Sequence, residues 1–176
     1  MKIRTISSIE EIDNLVASVT QSANKALEQV SRLGLSNDGL KALWSMKTQP
    51  IGCNPLNSEV PLNLIEQLNQ TFTYIASARA AKLLLSLQPS LAPFTMNLGT
   101  SPGSDIESNS GVGLAAEVFA AVNTSNNRKL ANDLEKVGRT SAQFKYVFFM
   151  CPGYDEGRQL DLERQGIEVW SVGATL

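Results

Sequence analysis

An α/β fold, with a mixed sheet of about five strands flanked by helices and a helical N-terminal extension, is what this chain of 176 residues predicts. Three observations carry that expectation. Apolar residues recur at intervals of three and four through the first half, the period of amphipathic helices. At Phe94 the composition changes to short β-rich runs, and from there strand-like and helix-like segments alternate. A composition of 43% apolar and 18% charged residues is that of a globular chain with enough material for a core. Residues 1–58 read as the helical extension and 59–176 as the α/β core, the two forming one compact unit.

Ile9, Ile12, Leu15, Val16, Val19, Ala23, Ala26, Leu27, Val30 and Leu33 form the first apolar stripe. Ser8 and Glu11 have capping-box spacing at its start, and Gly34 offers a stop. A short helix follows from Asp38 to Lys47, then loop from Thr48 to Asn57, where Pro50, Gly52 and Pro55 interrupt any period. A third helix opens with Pro61 in its first turn and runs to about Leu87, before Pro89. Phe94–Leu98 and Ser104–Ser108 read as a hairpin turning at Ser101-Pro102-Gly103. The apolar run Leu114–Val122 reads as a deep strand. Thr124 or Ser125 is placed to cap a helix that closes at Gly138. Strands at Phe144–Met150 and Ile167–Val172 follow, with a short helix from Glu156 to Gln165 between them.

The chain has no histidine, which removes Ser-His-Asp and Cys-His nucleophilic machinery and His-containing zinc sites. Cys53 and Cys151 are far apart and read as reduced thiols. The formal charge of −2 gives no global basic field. Any basic patch would be local, drawing on Arg79, Lys82, Arg128, Lys129 and Lys136. Neither a secretory signal nor about 18 consecutive apolar residues is present, so the expectation is a cytoplasmic protein without a membrane partner. Tyr146, Phe148 and Phe149, with Trp44 and Trp170, read as packing residues.

Two acids stand out. Asp105 opens the returning strand of the hairpin, and Glu117 sits inside Ala116-Glu117-Val118-Phe119-Ala120, a run too apolar to bury a carboxylate without compensation. Either a metal or a buried ion pair with a helix cation would supply it, and Asp105 can alternatively be a turn residue. Glu107 shares a strand face with Asp105 and is either a further ligand or a solvated edge residue. Gly111-Val112-Gly113-Leu114-Ala115-Ala116 fits a dinucleotide-binding GxGxxA with Asp133 downstream, a weaker reading because the flanking strand and helix are poor.

A hairpin bearing an Asp, a buried strand bearing a Glu, then a crossover helix to another strand resembles the PD-(D/E)xK, or restriction-endonuclease-like, nuclease superfamily over roughly Pro61 to Val172. The resemblance implies Asp105 and Glu117 as ligands for Mg2+, beside which Glu107 is the further candidate its strand face offers, and DNA phosphodiesters as substrate. It also implies a lysine two residues after the Glu. Phe119 stands there. Because some members carry that lysine on a neighbouring element, Lys129, or else Arg128, is the expected replacement, and Glu66 is the candidate for the helix carboxylate that some relatives add. Restriction-type nucleases commonly act as dimers, and the first helix offers an apolar stripe for a second copy. The other readings are an inactive nuclease fold serving as an interaction or oligomerisation module, and the nucleotide-binding protein above.

Overall fold

The computed structural model describes residues 2–32, 38–108 and 113–176. Gly34 as a helix stop, and Gly111 of the GxGxxA stretch, lie outside them. The chain divides into two compact units, residues 1–12 with 76–176, and residues 13–75. Each therefore draws on both of the expected segments 1–58 and 59–176.

In chain order the elements are β1 (Ile3–Ile6), α1 (Ile9–Arg32), α2 (Gly39–Thr48), β2 (Gly52–Asn54), β3 (Asn57–Leu62), α3 (Leu64–Leu87), β4 (Phe94–Asn97), β5 (Ile106–Ser108), β6 (Leu114–Ala120), α4 (Lys129–Gly138), β7 (Phe144–Met150), β8 (Gly157–Arg158) and β9 (Glu168–Ser171). The fold is mixed α/β, with four α-helices among the described residues and a seven-stranded sheet ordered β1-β4-β5-β6-β7-β9-β8. β4, β5 and β6 form an antiparallel meander, and β6, β7 and β9 run parallel. The two strands beyond the expected five are its edges: β1 pairs with β4 and the two-residue β8 with β9.

Local chemistry explains the element ends. Glu11 accepts hydrogen bonds from the Ser7 and Ser8 N–H groups while Ser8 Oγ accepts from the Glu11 N–H, so the capping box forms as its spacing implies. Asp38 caps α2 by accepting from the N–H groups of Leu40 and Lys41. The third helix starts later than expected. Pro61 lies in β3, and Asn63 caps α3 through the Glu66 N–H. The segment read as loop from Thr48 to Asn57 contains β2 and the first residue of β3.

In the first unit, α4 covers one face of the sheet. Leu130, Leu134 and Val137 pack with Ala115 and Phe119 of β6, Val147 and Phe149 of β7, and Ile167 and Val169. Phe119 stacks on Phe149 with centroids 5.8 Å apart. Tyr146, Phe148 and Phe149 are buried, as core residues should be. In α3, Ala76, Ala80, Ala81 and Leu84 have no exposed surface, and Gln88 donates to Tyr146 Oη at 2.9 Å.

In the second unit, Val19 and Ala26 of α1 are buried, so part of the stripe expected to face a second copy is spent within the chain. Trp44 is a correction. It is 65% exposed, because α2 buries none of its residues. The expected helix from Glu156 to Gln165 is replaced by β8 and a 3-10 turn at Leu160–Leu162; Gly157 adopts φ +136, which a helix cannot contain. Cys53 and Cys151 are buried free thiols. Among the described residues no helix is long and apolar enough to cross a membrane.

Candidate functional site

Register brings the two acids together. Ile106 pairs with Ala116, so Asp105, one residue before β5, stands across from Glu117 on β6. Asp105 Oδ2 accepts the Val118 N–H at 2.8 Å, a bond that ties its carboxylate to β6 rather than into its own turn.

Glu117 is 1% exposed. Lys136 Nζ donates to its Oε2 at 2.7 Å. Lys136 comes from the last turn of α4, where a cation also suits the helix dipole. Glu117 Oε1 has no hydrogen-bond partner, nor does Asp133 Oδ2 on the same helix. Asp133 is 3% exposed, and its Oδ1 accepts from Lys129 Nζ at 2.6 Å. The only other buried side-chain atom without a partner among the described residues is the neutral Gln29 Oε1.

These groups form one electrostatic cluster. Burial, then the negative charge of Asp105, pushes the Glu117 carboxyl up to about 7, against the opposing pull of Lys136. Burial raises Asp133 too, opposed by Lys129. For Lys136, burial favours the neutral amine, but the hydrogen bond and charge of Glu117, with Asp105 and Asp133, outweigh it and raise its pKa. Three carboxylates and two ammonium groups thus share the face of β6 under α4. A strongly shifted carboxyl beside specific charged partners is a recognised mark of a functional site.

The other expected residues are placed differently. Glu107 turns back to accept the Ser104 N–H at 2.7 Å and so braces the turn before its own strand. Lys129 does not reach Glu117; it pairs with Asp133 and lies 5.8 Å from the centroid of the Phe119 ring. Arg128 is exposed and caps α4 in the left-handed conformation, displacing Thr124 and Ser125 from that role. Glu66 is exposed in the first turn of α3. Arg79 of the expected basic patch donates to the carbonyls of Val172, Gly173 and Thr175, which makes it an anchor for the chain's end.

Sequence reasoning missed Asp133 as a site residue and counted Lys136 only as surface charge. The signal was present: positions 129, 133 and 136 are spaced four and three, one helix face. Gly113 adopts φ +75 and leads into β6, not into the helix a dinucleotide fingerprint opens, so that reading falls.

Carboxylate oxygens are the ligand type that a hard divalent cation takes. Asp105 and Glu117 offer oxygen ligands, one of them the buried, unpartnered Oε1. Magnesium takes one or two carboxylates and keeps its waters. Among the described residues no group of three or more His, Cys, Asp or Glu side chains is arranged to hold a metal. No family model, no curated protein and no solved structure matches this chain.

Proposed function

We propose that the chain is a Mg2+-dependent nuclease of the PD-(D/E)xK type acting on DNA phosphodiesters, in which a helix lysine replaces the strand lysine absent at Phe119. The observation that carries this reading is the Lys136–Glu117 contact of 2.7 Å beside Asp105. The β4-β5-β6 meander followed by α4 and the parallel β7 supports it, because that order is the one in which the family carries its two acids.

Asp105 and Glu117 would hold the metal. When bound, a divalent ion lowers the pKa of a coordinated water and offsets charge on the scissile phosphate. The chain's own contribution is the arrangement around it. Lys136, half-exposed, keeps a proton at Nζ and presents positive charge where a phosphate would approach Glu117. Val118 N–H fixes Asp105, which holds that carboxylate in place before anything binds. Lys136 takes the role first expected of Lys129.

Cleavage of supercoiled plasmid with Mg2+ tests the reading. Wild type should nick the plasmid, and Asp105→Ala, Glu117→Ala and Lys136→Met should each lose that activity. Equal activity in all four proteins would remove these residues from any reaction. The second reading, a nuclease fold kept for interaction, is favoured by Phe119, which is buried and stacked where the lysine belongs, and by the Lys136–Glu117 pair, a helix cation that compensates the buried carboxylate without a metal. It predicts no cleavage and no metal binding.

A further inference from the structure

Asp133 is the one buried acid of the cluster with no part in the proposed metal site. Its surroundings are specific. It is 3% exposed, and among the described residues its carboxylate accepts from Lys129 through Oδ1 while its Oδ2 has no partner. A buried carboxylate left half-satisfied is costly and calls for a reason beyond stability. Lys129, which it holds, is not a core residue: its side chain is 42% exposed, and its ammonium lies over the ring of Phe119, the residue standing where the motif lysine would be.

We infer that Asp133 is a positioning residue, which pins the Lys129 ammonium above Phe119 as a phosphate-gripping group and keeps it apart from the Lys136–Glu117 pair. The inference rests on the nuclease reading for the word phosphate, and on geometry alone for the pinning. Along α4 the charged residues run Lys129, Asp133, Glu135, Lys136; Glu135 pairs with Arg139, and Asp133 lies between the two lysines along the helix. Each lysine has its own carboxylate, at 2.6 Å and 2.7 Å. Without Asp133, Lys129 would retain only the ring beneath it, and an exposed cation–π contact is a weak restraint. The strand lysine's work is thereby divided: Lys136 stays at the metal-binding acid, and Lys129 reaches the substrate from the opposite end of the helix face.

The test uses the full chain and two independent readouts. The first needs no activity: acylation of lysines by a small reagent, read by mass spectrometry, in wild type and Asp133→Asn. Labelling of Lys129 should rise about tenfold in the variant, as expected for losing a charge-assisted hydrogen bond, while that of Lys136 stays constant. The second is kinetic, with a short DNA duplex and Mg2+. Asp133→Asn and Lys129→Met should each raise KM with kcat little changed, since a group gripping phosphate binds ground and transition states alike. The double variant should be no worse than Lys129→Met, because Asp133 acts through Lys129. Unchanged Lys129 labelling would overturn the pinning, and losses that add in the double variant would overturn the route through Lys129. If Asp133→Asn fails to fold, labelling of wild type with and without duplex decides: protection of Lys129 supports the inference and its absence overturns it. A wild type that never cleaves, with Lys129 still released by Asp133→Asn, would sink the nuclease reading and leave the pinning intact.

Discussion

Ser22, Cys53 and Gln67 are as deeply buried as Glu117 and Asp133, but the two groups are built differently. In the first, every element is neutral and partnered. Gln67 Oε1 accepts the Cys53 N–H at 2.6 Å, its Nε2 donates to Ser22 Oγ and Thr71 Oγ1, and Ser22 Oγ lies 3.3 Å from the Cys53 carbonyl. Such a network fixes where a hairpin lies and offers nothing to a ligand. In the second, the groups are charged, and each buried carboxylate keeps an oxygen without a partner. Completeness of hydrogen bonding, rather than burial, separates the structural cluster from the chemical one.

The largest effect should come from breaking the charged cluster at its metal-binding acids. Asp105→Ala or Glu117→Ala should lower Mg2+-dependent cleavage by more than about 100-fold, beyond what loss of an outer-shell partner costs, measured as initial nicking rate. Next is pH. The folded-state pKa of Glu117, about 7, lies above its ordinary 4.5, so the native state binds the proton more tightly than the unfolded one. The stability contributed by this carboxyl is therefore fully present below 4.5 and is lost as pH rises through 7, about 3 kcal/mol in all. Denaturant unfolding at pH 5 and pH 8 should show that decline in wild type and lose most of it in Glu117→Gln.

The neutral cluster should respond in stability alone. Gln67→Leu strands the buried Cys53 N–H and should cost about 1–3 kcal/mol in urea unfolding, with no dependence on pH between 5 and 8. A pH dependence there would blur the contrast between the clusters. Smallest is Ser8→Ala, outside both, which should cost about 1 kcal/mol through loss of the α1 cap, read by thermal melting.

Much of this was legible in the sequence where period and burial agree. The strands β4 to β7 and the long helices follow from runs whose pattern has one reading; Glu117 is conspicuous because its neighbours are apolar, though its role had two readings. The edge strand β1 was not legible: four residues, Ile-Arg-Thr-Ile, acquire strand character only by pairing with β4 some ninety residues away. The β2–β3 hairpin was hidden by Pro and Gly, and β8 by its two-residue length. Lys136 and Asp133 escaped for a different reason. Lysines and acids at helical spacing ordinarily mark a solvated face, and only the docking of α4 on β6 shows that this face carries Asp133 inward and Lys136 onto Glu117.

On the proposed reading, Asp105 and Glu117 form a divalent-cation site served by a helix lysine. Mn2+ titration followed by electron paramagnetic resonance, on wild type and on Glu117→Ala, addresses it most directly. Wild type should give a bound-manganese signal that Mg2+ displaces and that Glu117→Ala lacks. Identical titrations of the two proteins would contradict that reading.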